Sequence, residues 1–365
     1  MVGIAVALTF GFRAVTRDDT PPPAADVVAA PAPARSQPAG PSDPVGTATP
    51  LPEPMKGVHV TLPFAALPDK VDEFISLKSA GLNTLQIDIK DEEGRIAFAP
   101  EASPLAERIG AVGNFYDPIE LVDKIHRAGL YVVGRIVVFQ DPILADARPK
   151  LSIKRRGGGN WQTFSGLGWT NPYNETVWQY NVEVAEAAAK AGFDEIMFDY
   201  IRFPTDGEEA AAVYPGKRPE AKAETIARFL AYAKRRLDPI GVKVGAALFG
   251  LAATRNIGIG QAPRKMARHL DIVHPMVYPQ GYGAGECNID NPVESPGRIV
   301  NCSLQDYRQT LSGRDVTIIP WLQDYGGYTI DDIRAQVAAA ERWQTGGYLL
   351  WNGASVYTPG ALDIR

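Results

Sequence analysis

The chain is poor in the side chains that usually ligate metals, with two cysteines and four histidines in 365 residues. His59, His126, His269 and His274 are scattered, and no Cys/His spacing resembles a zinc site. No metal or cofactor is expected, and a metal-dependent deacetylase or phosphodiesterase is disfavoured. Excess positive charge is also missing. With 37 Lys and Arg against 42 Asp and Glu, the net charge is −5, without the basic footprint of a nucleic-acid binder. A glycine-rich phosphate loop between strand and helix is not found. "RRGGGN" (155–160) lies in a long loop instead, which argues against a dinucleotide-binding open sheet. The N-terminal apolar run, "MVGIAVALTFGFR", stops at Arg13 and is short for a membrane span.

That run still resembles the apolar part of a secretion signal or anchor, although it lacks a basic n-region and a clear cleavage site directly after it. An apolar tail is the alternative. Residues 14–54 are rich in Pro and Ala and read as an extended linker that cannot bury a core. Residues 1–13 followed by such a stalk suit an extracytoplasmic domain, secreted or anchored at the cell envelope, with a membrane tether through the N-terminus. Outside the cytoplasm an even cysteine count allows a Cys287–Cys302 disulfide, stabilising by roughly 3 kcal/mol on the chain-entropy estimate. Two free thiols are the alternative.

From Lys56 onward the pattern alternates. Strands are expected at 56–61, 82–90, 131–139, 194–200, 242–250, 271–279, 316–324 and 347–352. The segments between them carry helix signals. Pro68 and Gly81 bracket one helix, Asp117 with Pro118 and Gly129 a second, Asn174 and Gly192 a third. Helix–Gly–strand junctions recur in "SAGLNTLQI", "RAGLYVVG" and "KAGFDEIMF". Eight strands with intervening helices imply parallel pairing and an α/β fold, a (β/α)8 TIM barrel over residues 55–365 in one domain.

In such a barrel, functional side chains come from the C-terminal strand ends and the loops beyond. Alternation puts Gln86, Asp88 and Lys90 on one face, expected to be the mouth. Arg135 lies mid-strand, where a guanidinium needs a carboxylate partner, and Asp141 follows soon after. Asp199 ends the fourth strand, with Tyr200 and Arg202 close behind; Arg202 could hold Asp199 ionised. His274, Met276 and Tyr278 share a face. Trp321, Gln323 and Asp324 end the seventh strand, Trp351 and Asn352 the eighth. Acids, amides and aromatics together suit sugars: rings stack on pyranose C–H faces, and a carboxylate pair can cleave a glycosidic bond.

The blocks "KGVHVT", "GLNTLQIDIKDEEG", "GRIVVFQDPILA", "WTNPYNETVWQYNVEVAEAAAKAGFDEIMFDYIRFP" and "MVYPQGYG" resemble the glycoside hydrolase-like domain family DUF4015 over about residues 55–355. "FDEIMFDYIRFP" is the most specific of them. The resemblance implies a carbohydrate-active TIM barrel, often on extracytoplasmic bacterial proteins. Asp88, Arg135, Asp141, Trp169, Asn171, Asp199, Tyr200 and Arg202 fall within the shared blocks.

The expected function is hydrolysis of O-glycosidic bonds in a polysaccharide or oligosaccharide. Asp199 is the first catalytic candidate. The second carboxylate is sought in the order Asp324, Asp88, Asp141, Glu286, although Asp324 could instead cap a turn. Trp169, Trp321 and Trp351 are candidate sugar platforms or core residues. Substrate contacts are expected from Asp88, Arg135, Asp141, Asn171, Tyr200, Arg202, His274, Tyr278, Gln323 and Asn352; Arg135 could equally be a structural counter-ion, His274 a structural histidine. A non-catalytic carbohydrate-binding barrel is the alternative.

Overall fold

A computed structural model of the chain describes residues 49–216 and 220–362. The expected signal or anchor segment, 1–13, and residues 14–48 of the linker lie outside the described residues.

Eight parallel strands close into a barrel. They are β1 (Met55–Val60), β2 (Thr84–Lys90), β3 (Tyr131–Val137), β4 (Glu195–Asp199), β5 (Lys243–Phe249), β6 (Ile272–Val277), β7 and β8 (Gly347–Trp351). β7 comes in two pieces, Thr317–Ile318 and Trp321–Gln323. Between them lies Pro320, which has no N–H to give to a ladder. Closure is direct, because β1 pairs with both β2 and β8 and the second piece of β7 bridges β6 to β8. All eight strands fall where the apolar pattern puts them, and the barrel is the (β/α)8 type.

The helices follow their punctuation. They are α1 (Pro68–Ser76), α2 (Pro118–Arg127), α3 (Glu175–Lys190), α4 (Lys222–Leu237), α5 (Pro296–Thr310) and α6 (Ile330–Arg342). The Asp117 carboxylate caps α2 by accepting from the Ile119 and Glu120 N–H groups, and Asn174 caps α3 by accepting from Thr176. Gly129 and Gly192 follow α2 and α3 at φ 72° and 103°, a left-handed turn that glycine makes without steric cost. α5 and α6 pack side by side over β6–β8 and run in the same direction, with Gly297 against Ala335 and Asn301 bonded to Trp343. Cys287 in the β6–α5 loop is joined by a disulfide to Cys302 on α5.

Two apolar layers result. The larger lies between strands and helices. The smaller fills the barrel itself with Met55, Tyr131, Val133, Met197, Ala247, Ile272, Ile319, Trp321 and Leu349. Leu51, in the last residues of the expected linker, packs against this inner cluster, so residues 49–54 belong structurally to the barrel. The interior also holds a buried histidine–glutamate contact. His274 Nε2 lies 2.7 Å from Glu195 Oε1, and its Nδ1 lies 2.9 Å from the Ile319 carbonyl oxygen. Gly245 makes room for that pair, since a Cβ there would sit 2.1 Å from Glu195 Oε1 and 3.0 Å from His274 Nε2.

Below the barrel, Asp194 ties three segments together. It accepts from the Val132 N–H at 2.8 Å and the Thr49 N–H at 3.2 Å, and lies 2.8 Å from His126 Nε2 on α2. The hydrogen bond to Asp194 raises the His126 pKa, against the opposing effect of burial.

Two outcomes follow. Gly245→Ala should destabilise the barrel by about 1–3 kcal/mol, read as a lower urea midpoint at unchanged slope. His126 binds its proton more tightly folded than unfolded, so its stabilising contribution is complete below about pH 6.5 and fades as pH rises through the raised value. His126→Gln should therefore flatten the decline in urea midpoint measured between about pH 6 and pH 9; an unchanged decline would assign it to other groups.

Candidate active site

Arg135 organises the barrel mouth. Its residue is fully buried, and every nitrogen of the guanidinium meets a carboxylate. Nε and Nη2 donate to Asp199 Oδ2 at 2.9 and 2.7 Å. Nη1 donates to Asp88 Oδ1 at 3.0 Å, and Nη2 to Glu92 Oε1 at 2.5 Å. These acids come from the end of β4, the inner face of β2 and the loop after β2. A guanidinium is suited to the task because its donors form a rigid planar fork and it never deprotonates.

Aromatic rings floor the cluster. The Arg135 guanidinium lies over Trp351 at 4.8 Å and Trp321 at 5.7 Å. The two indoles stack at 4.5 Å and 11°. His59 on β1 stacks on Trp351 at 3.9 Å and reaches Asp88 Oδ1 with Nε2 at 3.0 Å. Burial alone would raise the Asp88 pKa, but His59 and Arg135 outweigh it, so the carboxyl is held below the ordinary range. For Arg135, burial opposes the charged form and Glu92, Asp88 and Asp199 overcome it, holding the group well above its ordinary value. One guanidinium against three carboxylates leaves an excess of acid at the mouth.

Tyr200 shapes the rim. Its φ of 51° is left-handed, an outlier for a bulky residue that costs strain and commonly marks a functional site. The turn lets its N–H donate to Asp199 Oδ1 at 2.7 Å while its ring packs 5.9 Å from Trp169. Arg202 lies over the Trp169, Tyr200 and Phe249 rings at 4.9, 5.0 and 5.2 Å. It makes no ion pair among the described residues, so the expectation that Arg202 holds Asp199 ionised is corrected: Arg135 is the cation on Asp199. The Tyr278 hydroxyl, on the far side of the mouth, is buried with no hydrogen-bond partner.

Several candidates are occupied elsewhere. Asp324 accepts from the Thr358 hydroxyl at 2.6 Å and the Thr358 N–H at 3.0 Å, so it pins the C-terminal segment and does not meet Asp199. Burial raises its pKa, more than those two bonds lower it. Lys90 does not face the mouth. A β-bulge between Asp88 and Lys90 turns it outward, where it meets Asp141 at 2.8 Å and Asn181 on α3 at 3.0 Å. Asp141 is fully buried in that pair and caps the next helical turn through the Leu144 N–H. Burial raises its pKa against the pull of Lys90.

Asn171 is held by the Pro215 carbonyl and the Tyr173 N–H, and Gln323 by the Gln280 N–H and the Tyr325 carbonyl. Trp169 and Trp321 are wholly buried and support the rim and floor from behind, whereas Trp351 is half-buried. Asn352, also half-buried, donates to the Asp324 carbonyl oxygen at 2.5 Å. Glu286 pairs with Arg255 in the β6–α5 loop. His274 lies inside the barrel with both ring nitrogens engaged.

Sequence reasoning missed Glu92. It sits in "DIKDEEG", two residues past β2, where strand alternation no longer predicts direction. The available signal was its position in a strand-end loop. Its side chain is 31% exposed, against 3% for Asp88 and Asp199, making it the most accessible acid of the cluster. Among the described residues no group of three His, Cys, Asp or Glu is placed to hold a metal ion. The mouth acids converge on a guanidinium instead.

Comparison with known proteins fits this geometry. No curated protein matches the chain. A hypothetical protein from Ruminiclostridium thermocellum ATCC 27405 is 33% identical over 52% of this chain and 96% of its own, with a TM-score of 0.47. The exo-β-N-acetylglucosaminidase of Vibrio harveyi, solved as an inactive mutant, superposes with a TM-score of 0.54 at 10% identity, over 86% of this chain and 54% of its own. The chitobiase of Flavobacterium johnsoniae gives 0.52 at 12%, over 85% and 47%. At these identities the two enzymes share the barrel fold alone. Residues 57–357 match the profile of DUF4015, described as a "putative glycosyl hydrolase domain", and the chain belongs to that family.

Proposed function

We propose that the protein is a glycoside hydrolase that cleaves O-glycosidic bonds of a polysaccharide with Asp199 and Glu92 as its carboxylate pair. The observation that carries this reading is that one nitrogen, Arg135 Nη2, bonds Asp199 Oδ2 at 2.7 Å and Glu92 Oε1 at 2.5 Å. Two oxygens on one nitrogen lie closer together than the roughly 6.5–9.5 Å between the carboxyl groups of inverting enzymes, which favours the retaining arrangement. Family membership and the barrel fold support the same class.

The roles follow from the surroundings. Asp199 is fixed by Arg135 and the Tyr200 N–H, and serves as nucleophile on the anomeric carbon. Glu92 bonds Arg135 through Oε1, and its Oε2 has no hydrogen bond among the described residues. It gives the leaving oxygen a proton, then takes one from the water that releases the glycosyl group.

We also infer that the enzyme works outside the cytoplasm, secreted or tethered through its N-terminus. The Cys287–Cys302 disulfide supports an oxidising compartment.

One observation favours a non-catalytic carbohydrate-binding barrel: the Asp199 side chain is only 3% exposed and wholly engaged by Arg135 and the Tyr200 N–H. The two readings separate on reducing-sugar release from bacterial and plant polysaccharides. Hydrolysis predicts release by the wild type and a loss of about 10³-fold in Asp199→Asn. Glu92→Gln should lose about 10²–10⁴-fold on polysaccharide yet much less on an aryl glycoside whose leaving group needs no proton. Asp324→Asn should keep turnover within a few-fold and lower thermal stability. Glycan binding without release would leave the binding barrel standing, and collapse of turnover in Asp324→Asn with an intact fold would restore Asp324 to the pair.

A further inference from the structure

The geometry points to Arg202 as an anion subsite, so that the sugar taken at this mouth carries a carboxylate. This deepens the glycoside hydrolase reading and rests on it for the location of the substrate.

Arg202 is 6% exposed. Among the described residues it makes no ion pair, and its hydrogen bonds are long ones from Nη1, to the Phe203 carbonyl oxygen at 3.4 Å and to Thr205 Oγ1 at 3.3 Å. Nε and Nη2 have no acceptor among the described residues, and neither is sealed from solvent in the way the buried Arg314 Nε is. A buried cation is ordinarily paired. The contrast with Arg135 is sharp, because that guanidinium, bonded to Asp199, has a carboxylate on every nitrogen.

The rings of Trp169, Tyr200 and Phe249 surround Arg202. Cation–π contact keeps the charge in place and limits its side-chain freedom without using its N–H donors. Tyr200, the residue next to Asp199, sets its ring 5.0 Å from the Arg202 guanidinium. The nucleophile is thus followed along the chain by an immobilised planar fork with donors to spare. A carboxylate is the group that such a fork binds bidentately. The excess acid around Arg135 would repel an anion everywhere else at the mouth, so an acidic sugar is oriented with its carboxylate toward Arg202.

Two sugar types supply that chemistry, a uronic acid and an amino sugar bearing a lactyl ether. Calorimetric titration of the full chain with two matched pairs distinguishes them: methyl β-D-glucuronide against methyl β-D-glucoside, and N-acetylmuramic acid against N-acetylglucosamine. At least one acid should bind about tenfold or more tighter than its neutral partner, with the advantage shrinking as salt is added. Arg202→Gln should bring that ratio close to one. Arg202→Lys keeps a cation in the ring cage but loses the fork, and should lower the ratio severalfold; it carries the test if Arg202→Gln does not fold.

Asp199→Asn should keep the ratio while abolishing sugar release. A wild type that prefers the acid yet releases nothing from any polysaccharide would remove the hydrolase reading and keep this one. A ratio near one for both pairs, no binding by any of the four sugars, or a preference that survives Arg202→Gln would overturn it.

Discussion

The upper half of the barrel depends on one buried guanidinium. Arg135 cannot lose its proton and cannot reach water, so its surroundings must supply negative charge. Asp88, Glu92 and Asp199 do so from two strands and a loop. Removing Arg135 would leave the buried carboxylates uncompensated, a cost of about 3–5 kcal/mol in comparable pairs. The stacked Trp321 and Trp351 supply the aromatic floor over which the guanidinium lies. The chemistry proposed for the site uses this arrangement without further parts, since the residue that makes the acids tolerable also sets their spacing.

The end of β4 shows how one short segment serves both packing and chemistry. In "FDYIRFP", Ile201 and Phe203 are fully buried in the outer core. They anchor the chain after the left-handed turn at Tyr200 and leave Tyr200 and Arg202 on the rim. The two arginines near Asp199 differ in what surrounds them. Arg135 is saturated with carboxylates, whereas Arg202 is enclosed by rings, which hold a cation without neutralising it.

Much of the fold was legible in the chain. Strand positions follow from apolar runs bounded by glycine and proline, and helix limits from Asp117, Asn174, Gly129 and Gly192, because these signals act within a few residues. Alternation correctly turned Asp88 toward the barrel axis. It failed at Lys90, where a bulge shifts the register, and it could say nothing of Glu92, which lies past the last ladder pair. Asp324 looked like a partner for Asp199 because it ends a strand. Thr358, 34 residues later, claims it, and no local pattern encodes that bond.

The sequence by itself determined the eight-strand alternation, the barrel class and the set of polar residues at the strand ends, since each rests on short-range periodicity and turn chemistry. Tertiary structure alone decided which of those residues meet. A carboxylate's role depends on the cation, hydroxyl or ring within about 3–4 Å of it, and those neighbours come from strands and loops far apart in the chain. Asp88, Asp141, Asp199 and Asp324 are alike as letters. Their partners, His59 and Arg135, Lys90, Arg135 with the Tyr200 N–H, and Thr358, make one a brace, one a buried helix cap, one the proposed nucleophile and one a clasp for the C-terminal segment.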